Sequence, residues 1–288
     1  FSLTVEVLPS KVFVVFRKLK KNQSEQKTNK QKTQTNERSS LKIRKMSSSS
    51  SSVNKTPALF SHPVWNNRGP AKLAVTGFGL GMVFGLTLYV SVLARNSWGN
   101  YASYFCALAL FHMWEFCYVA MFHPSELKFD SFLLNHSDAY TYAFALANVE
   151  YLVERLFIFP LSWKTNTYLT TIGTVMVIIG LIIRIVAMYT AGSHFHHLVR
   201  EEREEAHKLV DFGIYRYLRH PSYFGWFWYV VGTQIMLCNP LSTVAYALAC
   251  YKFFSDRIEH EEQQLIKFFG DAYVQYRKRT FVGIPFIH

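Results

Sequence analysis

The stretch SYFGWFWYVVGTQIMLCNPLSTVAYALACYKFF, Ser222–Phe254, decides the architecture. Its two apolar runs, Ser222–Leu237 and Leu241–Phe254, are each shorter than the roughly 20 residues that carry a helix across a hydrocarbon core. Only Cys238-Asn239-Pro240 joins them. The pair therefore reads as a tight helical hairpin, with Asn239 as N-cap and Pro240 in the first turn of the second helix. Towards the N-terminus lie four longer apolar blocks, Leu73–Ala94, Tyr101–Met121, Ala139–Leu161 and Tyr168–Tyr189. Half of the 288 residues are hydrophobic, and their blockwise arrangement predicts an all-α polytopic membrane protein with about six transmembrane helices.

The formal net charge of +12 suggests nucleic acid until it is located. Residues 1–70 hold 14 Lys/Arg against 3 Asp/Glu, whereas residues 71–288 hold 17 against 16. The excess belongs to a polar, low-complexity N-terminal stretch, and no nucleic-acid partner is expected. That stretch has too little apolar surface to order itself, so residues 1–69 read as a disordered basic and Ser-rich tail, with contact to anionic lipid as the lesser role. The first methionine is Met46, an expected translation start, and no cleavable signal peptide is expected. Residues 70–190 read as four transmembrane helices and 191–288 as a separate region made of a loop, the helical hairpin and a C-terminal helix. Cys106, Cys117, Cys238 and Cys250 lie in or beside apolar spans, have no metal spacing, and read as packing residues.

Basic residues near span ends favour the cytosol. With the tail cytosolic, the two far-side loops carry only Arg95 and Lys164. The near side carries Arg200, Arg203, Lys208, Arg216 and Arg219, then Arg257, Lys267, Arg277, Lys278 and Arg279. Both termini are thus placed in the cytosol, and the sequon Asn135-His136-Ser137 is expected to stay unglycosylated.

Chemistry concentrates where the apolar pattern breaks, in HKLVDFGIYRYLRHPSYFGWF, His207–Phe227. Pro221 suits a helix start, whose free N–H groups around Ser222 and Tyr223 favour a carboxylate or phosphate. Gly213 permits a turn before Tyr215, and Gly225 admits a backbone or ligand at close range. An ordinary interfacial loop with belt aromatics fits the composition equally well. Beyond the hairpin, Arg257 and Glu261 are four apart on one helical face; they make either an ion pair in solvent or holders of an acid group and a ribose. His194, His196 and His197 have the look of a metal-binding histidine box, but no second such box occurs, so no metal is expected. Glu201, Glu202, Glu204 and Glu205 read as a solvated face. Of the charges inside spans, Glu115, Glu150, Glu154, Arg155 and Arg184, the pair Glu150 and Glu154 shares a face and is expected to meet Arg184 from the next span.

The ordered set GSHFHHLV, HKLVDFGIYRYLRHPSYFGWF, the Cys-Asn-Pro hairpin, FFSDRIEHEE and GIPFI, with DSFLLNHSDAY at 130–140, closely resembles the isoprenylcysteine carboxyl methyltransferases over about residues 70–288. The joint occurrence of H-x-L-V, G-x-Y, R-H-P-S-Y and R-x-x-x-E in this order is far more specific than any one of them. The resemblance implies S-adenosylmethionine as methyl donor, leaving S-adenosylhomocysteine. It implies as acceptor the C-terminal carboxylate of farnesylated or geranylgeranylated cysteine in CaaX proteins such as small GTPases. It also implies a multi-pass protein of the endoplasmic reticulum membrane, among membrane lipids, with a cytosolic catalytic loop and C-terminal helix. By the same resemblance His207, Lys208, Leu209, Val210, Tyr215, His220, Pro221, Ser222, Tyr223 and Glu261 hold the cofactor, and Arg257 contacts the substrate as the catalytic arginine. Arg200 falls at a cofactor position that is Gln in some relatives. Animal members also begin with extra membrane helices, where this sequence has a polar tail. A C-terminal carboxyl with a pKa near ~3.5 is already ionised at neutral pH, so the implied reaction needs no general base. A membrane sterol reductase using NADPH is the runner-up enzyme, and a small transporter or scaffold the non-enzymatic alternative.

Overall fold

The computed structural model describes residues 65–94, 97–135, 137–158, 163–197 and 208–288. These belong to one unit, Leu59–His288. Residues 1–64 of the basic tail, including Met46, and Arg95, His136 of the sequon, Arg200, the Glu201–Glu205 face, Arg203 and His207 lie outside the described residues.

Each of the six apolar blocks forms a helix: α1 Pro70–Leu93, α2 Ser97–Phe122, α3 Asp138–Val153, α4 Thr167–Ala191, α5 Pro221–Met236 and α6 Pro240–Phe269; a short α7, Asp271–Lys278, follows. A π-helical turn, Glu154–Ile158, continues α3. Among the described residues, α1, α2 and α4 are long and apolar enough to cross a bilayer. By contrast, α5 has only 16 residues, and α6 turns polar after Phe254. The side chains of α1 are nowhere buried, with Phe78, Leu86 and Val92 66–70% exposed, as suits a helix bathed in lipid.

The tightest interface joins α4 to α5, and glycines make it possible. A Cβ on Gly180 would sit 2.6 Å from the Gly225 carbonyl oxygen and the Tyr229 nitrogen, and one on Gly225 would sit 2.5 Å from the Gly180 oxygen. Gly173 and Gly232 repeat the arrangement one heptad away. Small residues at matched spacing let backbones touch, and the packing gained replaces the hydrophobic drive that lipid removes. What Gly225 admits is thus the backbone of α4.

The hairpin turn differs from the expectation. Asn239 is the N-cap residue of α6, but its side chain makes no cap hydrogen bond. Its Oδ1 accepts from Lys164 Nζ at 2.7 Å, and its Nδ2 donates to the Ala147 carbonyl at 2.9 Å. The cap comes instead from α3: Glu150 accepts from the Leu241 and Ser242 amides at 2.8 and 2.7 Å and from the Ser242 hydroxyl. Lys164, 2% exposed, also donates to the Leu237 and Cys238 carbonyls at the end of α5 and pairs with Glu154 at 2.6 Å. A cation on a helix C-terminus and a carboxylate on an N-terminus each complement the helix dipole.

Glu150 and Glu154 therefore do not meet Arg184. Arg184 Nε pairs with Glu115 of α2 at 2.5 Å, and the other carboxylate oxygen of Glu115 meets His197 Nε2 at 2.7 Å. Both charges are buried, so each needs the other to offset desolvation. The expectation failed because a shared face shows which residues look the same way, and not which helix they look at.

Candidate functional site

The sequence between α4 and α5 sets up the site. Gly213, at φ 58°, takes a left-handed conformation open to glycine and leads into a 3-10 turn, Gly213–Arg216. The backbone then pairs with the C-terminal segment: Arg219 N–H donates to the Phe281 carbonyl at 2.9 Å and Phe281 N–H to the Tyr217 carbonyl at 3.0 Å. Pro221 opens α5, and the His220 side chain does not cap it.

Three neighbours fix that helix start. Arg184 Nη1 of α4 donates to Ser222 Oγ at 2.9 Å. Glu262 of α6 receives Arg219 Nε at 2.6 Å and faces His220 Nε2 at 3.2 Å. Tyr276 of α7 donates its hydroxyl to the Tyr215 carbonyl at 2.7 Å. Burial alone would raise the Glu262 carboxyl, but hydrogen bonds from His220 and Arg219 and their charges hold it down at about 2.

These anchors enclose a cavity of roughly 160 Å³. Lys208, Leu209, Val210 and Tyr215 line it from the loop, His220, Pro221, Ser222 and Tyr223 from the start of α5, and Glu261 from α6. Phe268 and Phe269 add apolar wall, and His194, Phe195 and His196 close another side. Every sequence-predicted cofactor residue inside the described segments thus lines one cavity; Arg200 and His207 lie outside those segments.

Arg257 is not a lining residue, but it is wired to the cavity. Its Nε donates to the Tyr223 hydroxyl at 2.7 Å, and that hydroxyl donates to Glu261 Oε2 at 2.6 Å. Its Nη2 donates to the His197 carbonyl. Arg257 and Glu261, which share a helical face, are therefore joined by a relay through tyrosine. Tyr223 is held for this by stacking on His220, 5.6 Å between centroids, and by Phe254 at 5.2 Å.

Sequence reading missed Glu262 and Tyr273. Glu262 sits next to Glu261, about 100° further round the helix, so adjacent glutamates could have signalled two separate tasks. Tyr273 lines the cavity, and its buried hydroxyl has no hydrogen-bond partner among the described residues. Burial pushes the Tyr273 hydroxyl up, so it remains a neutral donor. An orphaned donor of this kind fits a cavity built for a polar ligand.

The family model described as the isoprenylcysteine carboxyl methyltransferase (ICMT) family matches residues 172–267. Protein-S-isoprenylcysteine O-methyltransferase from Rattus norvegicus is 46% identical over 75% of this chain and 75% of its own. Its counterpart in Saccharomyces cerevisiae is 41% identical over 75% of this chain and 91% of its own. A solved structure of the eukaryotic intramembrane Ras methyltransferase ICMT superposes with TM-score 0.69 at 43% identity, covering 72% of this chain and 74% of that one. Agreement at this level in both sequence and fold, over most of both chains, means that the chain belongs to the isoprenylcysteine carboxyl methyltransferase family.

Proposed function

We propose that this chain transfers a methyl group from S-adenosylmethionine to the C-terminal carboxylate of prenylated cysteine in CaaX-processed proteins. One observation carries the reading: a single cavity at the start of α5 gathers Lys208, Tyr215, His220, Ser222, Tyr223 and Glu261, and a tyrosine relay joins it to Arg257. The donor set suits the cofactor. Glu261 offers a carboxylate to ribose hydroxyls, and the amides at the start of α5 suit the amino-acid carboxylate. Leu209, Val210 and Phe268 offer apolar contact to the base, and Tyr273 a donor in need of a partner. His207 and Arg200 complete this assignment. Bound there, the cofactor supplies an electrophilic methyl group.

The acceptor carboxylate is ionised at neutral pH, so the chain's task is to position it and exclude water. Arg257 suits the carboxylate because a guanidinium stays charged and can bind both oxygens. Its present partners, the Tyr223 hydroxyl and the His197 carbonyl, fix its direction and leave it charged.

The same reading places six helices in the endoplasmic reticulum membrane, with α5 and α6 as a hairpin and the cavity facing the cytosol. It keeps the division into a basic tail (1–69), four spans (70–190) and a catalytic region (191–288). Prenylated small GTPases are the expected protein substrates. Methyl transfer from labelled S-adenosylmethionine to N-acetyl-S-farnesylcysteine in membranes tests the reading. Labelled ester is expected; its absence with folded protein, or binding of NADPH in place of S-adenosylhomocysteine, refutes it.

A further inference from the structure

We propose that His123, Glu126 and His196 form a binding site for a divalent transition-metal cation of the zinc class, which clasps the segment after α4 to the end of α2. The three side chains come from separate places: His123 directly follows α2, Glu126 lies in the short 3-10 turn Pro124–Glu126, and His196 lies beyond α4. Their ligand atoms nevertheless all fall within 4.8 Å of one another. Two imidazoles and a carboxylate are a known zinc set, and one that leaves a fourth position open. Zinc bonds of about 2.0–2.1 Å in a tetrahedron put ligand atoms roughly 3.4 Å apart, so closure needs at most about 1.5 Å of movement. Glu126 is exposed and His123 and His196 are half-buried.

The surroundings are arranged for ligation as well as proximity. His123 Nε2 lies 3.0 Å from the Phe195 carbonyl oxygen. A carbonyl only accepts, so Nε2 carries the proton and the lone pair of the neutral ring is on Nδ1. Donating one ring N–H to a backbone carbonyl is the usual support of a metal-bound histidine. The Tyr118 hydroxyl, which donates to the Gly192 carbonyl, also lies 3.2 Å from the Phe195 carbonyl oxygen. The His123 and His196 rings lie 4.8 Å apart between centroids, tilted 44°. The histidine box of the sequence is thus divided: His197 goes to Glu115, whereas His196 turns to partners that no local spacing reveals. A cation here would tie down 194–197, a segment that lines the cavity with His196 and receives Arg257 on the His197 carbonyl.

The test uses the full chain in detergent, purified on a histidine-free tag, and does not depend on the activity proposed above. Metal content is measured by plasma mass spectrometry after dialysis, and affinity by titration with zinc and with cobalt, whose visible bands report imidazole ligation. One zinc per chain is expected. His123→Ala should weaken binding by at least about 100-fold, since even outer-shell changes cost 10–100-fold. Chelation should lower the melting temperature of the wild type and leave that of His123→Ala unmoved. Wild-type protein that takes up no zinc, or a His123→Ala variant with wild-type stoichiometry and affinity, overturns the proposal. Should His123→Ala fail to fold, Glu126→Gln at the exposed position decides: about tenfold weaker zinc binding supports the site, and unchanged affinity overturns it.

Discussion

Replacing Tyr223 by Phe removes one oxygen and keeps the ring. Its stacking on His220 and contact with Phe254 persist, so folding should be spared. The two hydrogen bonds of the relay, 2.7 Å from Arg257 Nε and 2.6 Å to Glu261 Oε2, are lost together. Each involves a charged group, for which about 1.5–3 kcal/mol is typical. Arg257 keeps the His197 carbonyl, and water entering the cavity recovers part of the remainder, so the net cost should approach that of one such bond. At about 1.4 kcal/mol per decade, that is a loss of roughly 10- to 150-fold in kcat/KM. The assay is methyl transfer to N-acetyl-S-farnesylcysteine, paired with calorimetric titration of S-adenosylhomocysteine. A double-mutant cycle with Arg257→Lys should give non-additive losses, because the second change acts on a relay already cut. If Tyr223→Phe stays within twofold of wild type, or if the two losses simply add, the hydroxyl does not couple donor site to acceptor site.

Arg257→Ala should lower kcat/KM by about two to three and a half decades, the roughly 3–5 kcal/mol cost of breaking a partly desolvated pair. Because Tyr223 links Arg257 to Glu261, S-adenosylhomocysteine binding should weaken too, by less than about tenfold; complete loss of binding in folded protein would remove Arg257 from the acceptor role. Glu262→Gln deprives buried Arg219 and His220 of their carboxylate and should cost about 3–5 kcal/mol of stability, read as a lower melting temperature. Since its folded carboxyl is held at about 2, below the ordinary value of 4.5, its contribution is complete above about pH 4.5 and is lost as pH falls through about 2. Melting curves across that range should slope less steeply in Glu262→Gln than in wild type. Gly225→Ala puts a Cβ 2.5 Å from the Gly180 oxygen and 2.7 Å from the Arg184 nitrogen; this contact between backbones can relax only by separating α4 from α5, at about 1–3 kcal/mol, and an unchanged melting temperature would contradict it.

Local chemistry was legible in the sequence where it is self-contained. The apolar blocks marked helices α1 to α6, and Pro221, Gly213 and Pro240 marked starts and turns, because proline fixes its own backbone and glycine frees it. What depends on a partner from a distant element was not legible. Glu150 was visible as a costly charge, but its task, capping α6 at positions 91 and 92 residues later, follows from how α3 stands against the hairpin. Lys164 was counted as a loop charge and is buried in the turn of the hairpin. At the site, His220, Tyr223 and Glu261 came together as the motif order implied, whereas Arg257 and Glu261, neighbours by periodicity, meet only through a tyrosine from another helix.

The buried Lys164 also bears on how the chain is built. The Leu237 and Cys238 carbonyls, the Asn239 side chain and the first amides of α6 find their partners in Lys164, Ala147 and Glu150, all of which leave the ribosome earlier. A hairpin released into lipid by itself would leave those carbonyls and amides without partners, with only Gln234 for the Asn239 side chain, at several kcal/mol for each unsatisfied group. Synthesis from the N-terminus avoids this: the receptor for the turn exists before the turn does, and α5 and α6 arrive as a plug for a socket already made. Moving α5 and α6 ahead of α3 by circular permutation would keep the partners of the turn in the finished fold and remove that order of events.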